Sequence, residues 1–156
     1  MNEERILQLI SLAREKNKLL NDFISITKRQ MEEIEGERYL DLDRSLTEKD
    51  KIIKKIDEID KLFLENFYKF KQENSIEDIN ELSIEEYPKL KELKEEVKSI
   101  MSNLLAISLL DEKNTESVRS KLKEAREDLK RVRLGRKAMK VYNYKESQGI
   151  LIDKKK

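Results

Sequence analysis

The chain has no cysteine, no histidine and no tryptophan, a single proline, and glycine at only three of its 156 positions. Without cysteine there is neither a disulfide framework nor a thiolate metal site, and the composition suits a reducing cytosol. The joint absence of histidine and cysteine removes the usual general base, the thiol nucleophile and the soft metal ligands. It also excludes the Glu-x-x-His pattern of di-iron bundles. Gly36, Gly135 and Gly149 stand far apart, so no glycine-rich loop is available to cradle a phosphate. With Val and Thr scarce as well, β-hairpins have little to turn on. Long hydrophobic runs are missing too. The most apolar window, MSNLLAISLL (101–110), is half the roughly 20 residues that span a bilayer and is interrupted by Ser and Asn. The opening Met1-Asn2-Glu3-Glu4 lacks the basic patch of a secretory signal. These absences point to a soluble, cytoplasmic protein that is not an enzyme, uses no cofactor, binds no metal and inserts into no membrane.

What is present is helix-forming. Charged residues make up 43% of the chain, and Leu, Ile, Lys and Glu dominate the rest, a profile of long helices or coiled coil. A net charge of +1 hides a division: residues 1–112 carry 19 basic and 27 acidic side chains, whereas 113–156 carry 15 and 6. The two parts differ in kind.

Apolar positions at Ile6, Ile10, Ala13, Leu20, Ile24, Met31 and Ile34, with Asn17 and Thr27 in register, keep a 4-3-4-3 spacing that holds one seam toward a partner helix. A second stripe at Leu9, Leu12, Leu19, Phe23 and Ile26 widens that face enough to meet more than one helix. Gly36 is placed to end the run as a left-handed cap. A second helix repeats the seam at Leu42, Leu46, Lys49, Ile53, Ile56, Asp60, Phe63, Phe67 and Phe70, and the short link between the two predicts an antiparallel hairpin. Residues 74–85 (NSIEDINELSIE) read as a polar connection with room for one helical turn. Pro88 falls where a helix's first turn tolerates it. The third seam runs Leu90, Leu93, Val97, Ile100, Leu104 and Ile107, meets Asp111 and Asn114, then resumes at Val118, Leu122, Ala125, Leu129 and Val132.

The expected architecture is all-α: a single domain, an elongated antiparallel bundle or coiled coil of three long helices (1–36, 39–73 and 86–140), with a C-terminal helical extension and a flexible tail over 141–156. Helices one and two are each about 45–50 Å long, whereas an unbroken run from 87 to 139 approaches 80 Å. The third helix therefore either breaks near 111–115 and folds back, or carries its basic end, apolar stripe included, past the hairpin. An uncovered stripe asks for a partner. Asp111 and Asn114 read equally as a register-fixing polar layer or as a hinge. The stripes within 6–110 read as core; that of 118–132 reads as a binding surface.

Acidic pairs such as Glu32-Glu33 and Glu95-Glu96 read as solvated helix surface. The basic end invites a nucleic-acid reading. Against it, Glu116, Glu124, Glu127 and Asp128 interrupt the cations at intrahelical ion-pair spacing, and no DNA- or RNA-reading module is visible, so no nucleic-acid partner is expected.

Three stretches in order resemble the FlgN family of flagellar export chaperones: EIEGERYLDL (33–42), LLDEKNTESVRSKL (109–122), and the ending GRKAMKVYNYKES (135–147) with GILIDKKK (149–156). The resemblance implies a cytoplasmic bacterial chaperone. It implies binding of flagellar hook–filament junction proteins by their C-terminal helices, prevention of premature assembly, and delivery to the cytoplasmic domain of the type III export gate. It places substrate on the C-terminal amphipathic region, matching Val118, Leu122, Ala125, Leu129 and Val132, and gate docking on Tyr142, with Tyr144 its neighbour. Gly135 and the polar stretch 142–149 then read as loosening the chain, with the tyrosine and Ile150-Leu151-Ile152 as short anchors on a mobile arm. Alternatives within reach of the same residues are a filament-cap chaperone of related type, and a structural coiled-coil homodimer in which 118–139 cross to another copy.

Overall fold

The structure is a computed structural model; it describes the backbone of residues 2–154 and the side chains of residues 3–146. Among these residues there are three long helices and no strand: α1 (Asn2–Glu35), α2 (Tyr39–Glu73) and α3 (Lys89–Lys154). A 3-10 turn, Ile79–Glu81, occupies the connection before α3, and Asp78 caps it by accepting from the Asn80 N–H at 3.0 Å. The all-α bundle expected from composition and seam spacing is the observed architecture.

Cross-helix contacts fix the directions. Arg5 donates to Asn66 and Glu73, Lys16 to Asp60, and Arg29 to Glu48, so α1 and α2 run antiparallel. The Arg5 guanidinium also holds the Glu73 carboxyl below its ordinary range, chiefly through that hydrogen bond. Asn17 donates to the Glu96 carbonyl, and Asn114 to the Thr27 carbonyl, so α3 returns parallel to α1.

Burial is distributed unevenly. Among the described residues, eight of the twelve buried apolar side chains belong to α1: Ile6, Leu9, Ile10, Ala13, Leu20, Phe23, Ile26 and Ile34. Helix α2 buries only Ile59 and Phe70, and α3 only Leu90 and Leu93. Both α1 stripes are covered because α1 has a neighbour on each side. Helices α2 and α3 cover only the edges they turn inward. The reading of 6–110 as core is corrected for Leu46, Ile53, Val97 and Leu104, all exposed.

The helix ends also differ from expectation. Gly36 does not supply a left-handed residue; Glu37 does, with φ 55°. Arg38 N–H donates to the Glu33 carbonyl at 2.8 Å and Glu37 N–H to that of Ile34 at 3.1 Å, the paired bonds of a Schellman cap with Glu37 at its left-handed position. Gly36 is the residue before, where an added Cβ would lie 3.2 Å from the Glu32 carbonyl oxygen. Helix α2 closes the same way, with Ser75 at φ 52° and Ile76 N–H on the Lys71 carbonyl at 3.0 Å.

The chain divides into two compact units, Met1–Asn114 and Thr115–Lys156, where the sequence suggests one domain. The described part of the second unit is α3 alone, and every described side chain from 122 to 146 is exposed. Helix α3 starts at Lys89 and continues without a break through 111–115. Residues 141–154, expected as a flexible tail, are helical. One isolated glycine costs a helix only about 1 kcal/mol, and Gly135 sits among strong helix formers with no proline to stop the run.

Replacing Glu37 with glycine removes the Cβ penalty of the left-handed cap. Glu37→Gly is expected to stabilise by about 1 kcal/mol and raise the thermal midpoint by about 2–4 °C. A lower midpoint in calorimetry would show that the cap is held by the Glu37 side chain instead.

Candidate functional site

The last turns of the first unit end in a polar layer. The Lys49 ammonium is buried, donates to Gln30 at 2.8 Å and Asp111 at 3.1 Å, and sits 4.4 Å above the Phe23 ring. One turn on, Asn114 is buried and its Nδ2 donates to the Thr27 carbonyl at 3.0 Å. Of the two readings of Asp111 and Asn114, the contacts match the polar layer: both reach across to another helix, and α3 is unbroken through them. Asn114 Oδ1 is buried with no hydrogen-bond partner.

The second unit carries the stripe singled out from the sequence. Val118 is 42% exposed, Leu122 50%, Leu129 51% and Val132 50%, and Ala125 is exposed between them. Heptad spacing along one continuous helix puts the five on a single face. Four branched apolar side chains left half in water on one face is the arrangement that marks an interaction surface. Cations flank it: residues 115–146 carry Arg119, Lys121, Lys123, Arg126, Lys130, Arg131, Arg133, Arg136, Lys137, Lys140 and Lys145 against five acids.

Tyr142 lies on the same helix, exposed, and its hydroxyl donates to Glu146 one turn on at 3.3 Å. Tyr144 is exposed as well. Helical geometry turns residues two apart away from each other, so the two tyrosines do not share a face. The side chains of Ile150, Leu151 and Ile152, read from the sequence as anchors, lie outside the described residues.

One feature escaped the sequence reading. Phe63, Phe67, Ile79, Leu93, Lys94 and Val97 line an apolar cleft of about 330 Å³ in the first unit. Its signal is the cluster of phenylalanines at the end of α2, which spacing alone assigns to the core. The 3-10 turn at Ile79–Glu81, not deducible from periodicity, supplies the remaining wall.

Neither protein-family models, curated proteins nor solved structures give a match to this chain. The family resemblance rests on residues 33–42, 109–122 and 135–156.

The unpartnered Asn114 oxygen leads to a stability test. A buried unsatisfied carbonyl costs about 1–3 kcal/mol, more than the roughly 1 kcal/mol gained from the single bond to Thr27. Asn114→Leu is therefore expected to raise stability by about 1 kcal/mol in urea titration. A loss of stability would mean that the Thr27 bond outweighs the orphaned oxygen.

Proposed function

We propose that this chain is an export chaperone of the FlgN type, acting in the bacterial cytoplasm on flagellar hook–filament junction proteins. The observation that carries the proposal is the half-exposed stripe Val118–Leu122–Ala125–Leu129–Val132 on an α3 segment whose side chains are exposed at every position from 122 to 132. Subunits that polymerise through apolar helical faces need those faces hidden before export, and a helix with a matching bare stripe hides one by coiled-coil pairing. The mechanism needs no bond chemistry. Pairing over some 600–800 Å² of apolar surface yields about 15–20 kcal/mol gross at roughly 25 cal/mol per Å². Ordering of both partners and lost rotational freedom offset most of that. The remainder is a moderate affinity, which lets cargo leave at the export gate. Tyr142, exposed farther along the same helix, serves as the gate-docking residue.

Binding of a hook–filament junction protein to the full-length chain, measured calorimetrically, tests this directly. Leu122→Asp with Leu129→Asp places two charges at the centre of the stripe and is expected to weaken binding by about 30-fold or more. Tyr142→Ala is expected to leave that affinity unchanged while weakening capture by the gate's cytoplasmic domain. Undiminished binding by the double aspartate variant would overturn the assignment of the stripe to cargo.

A further inference from the structure

Two segments of this chain follow one template with opposite charge. Residues 43–57 read Asp43, Leu46, Asp50, Ile53, Asp57, and residues 119–133 read Arg119, Leu122, Arg126, Leu129, Arg133. In both, an aliphatic residue recurs every seven positions, with a charge three residues before it and four after, so the charged row lies against the apolar one on the helix surface. In α2 the charges are all acidic; in α3 they are all basic. The exposed sides of both rows are open to solvent: Leu46 is 51% and Ile53 42% exposed, and Asp43, Asp50 and Asp57 are exposed beside them. Arg119, Arg126 and Arg133 are likewise exposed. None of the six charged groups has an ion-pair partner among the described residues, although shorter-range pairs such as Arg131–Asp128 and Arg44–Asp41 do form.

We infer that the α2 face of one copy docks the 119–133 stripe of a second copy as an antiparallel helix pair. Antiparallel packing sets like heptad positions opposite each other at the flanks, so one register matches Asp43 with Arg133, Asp50 with Arg126 and Asp57 with Arg119. The same register brings Leu46 between Leu129 and Val132, and Ile53 between Leu122 and Ala125. A shift by one heptad would keep two of the three charge pairs, so this register is the one that matches all three. Both rows are exposed within the chain, and their charges are opposite, so the occupant of each is the complementary row of a second copy. The inference does not depend on the export reading. If both hold, cargo and a second copy compete for Leu122 and Leu129.

The test is self-association of the full-length chain by analytical ultracentrifugation. The weight-average mass is expected to rise with concentration and to fall with added salt, because three exposed charge pairs are screened. Asp43→Lys, Asp50→Lys and Asp57→Lys together should lower the association constant about tenfold or more, as should Arg119→Glu, Arg126→Glu and Arg133→Glu together. All six positions are solvent-exposed, so both variants should keep the wild-type circular dichroism and thermal midpoint measured dilute. Mixing the two variants restores opposite charges across both faces and should restore association. A single-chain mass at every concentration overturns the proposal. So does association that ignores the reversals, or a mixture that stays as weak as its components.

Discussion

Ile6, Leu9, Ile10 and Ala13 of α1 meet Phe70 of α2 and Leu90 and Leu93 of α3 in one cluster, and the rest of the first unit is organised around that burial. Fully burying a side chain of this size stabilises by about 1.5–3 kcal/mol, and α1 commits two adjacent stripes to it. The other two helices then lie on either flank of α1. Their directions are fixed by pairs such as Lys16–Asp60 and Asn17–Glu96 rather than by a core of their own. Because α1 supplies most of the buried apolar side chains, much of the seam on α2 and α3 stays exposed.

Polar residues mark where that arrangement stops. Asn17 bridges Glu96 and Asn103 inside the seam, and Lys49, Gln30, Asp111 and Asn114 close its far end. A slip of α3 by one turn would part Lys49 from Asp111 and Asn114 from Thr27 together, leaving a buried ammonium short of acceptors. Register is thus specified by polar groups and stability by apolar ones, a division familiar from coiled coils with buried asparagine. After Asn114 the apolar stripe of α3 continues with Val118, Leu122, Leu129 and Val132 each about half exposed.

Much of this was legible in the residues. The 4-3 spacing located three helices, the double stripe of α1 marked it for two neighbours, and Val118 to Val132 stood out because the seam outran its partners. The errors have physical causes. Heptad spacing tells which residues share a face but not how much of that face a neighbour covers, so Leu46, Ile53, Val97 and Leu104 read as core. Glycine's tolerance of the left-handed region made Gly36 the obvious cap, yet the chain places Glu37 there and keeps Gly36 for a close approach to the Glu32 carbonyl. The tail looked loose because glycine suggests a break. Its remaining composition favours helix, and one glycine does not outweigh it.

The central claim is that α3 is packed in the first unit, where Leu90 and Leu93 are buried and Asn114 bonds Thr27, whereas the stripe from Val118 to Val132 is exposed. Hydrogen exchange of the α3 amides in dilute solution measures this most directly, since a helix with no packed face opens far more readily than one in a core. The account predicts slow exchange over 90–107, exchange orders of magnitude faster over 118–132, and protection of the latter when a helical partner is added. Equal, slow exchange along both stretches in the dilute isolated chain would contradict it.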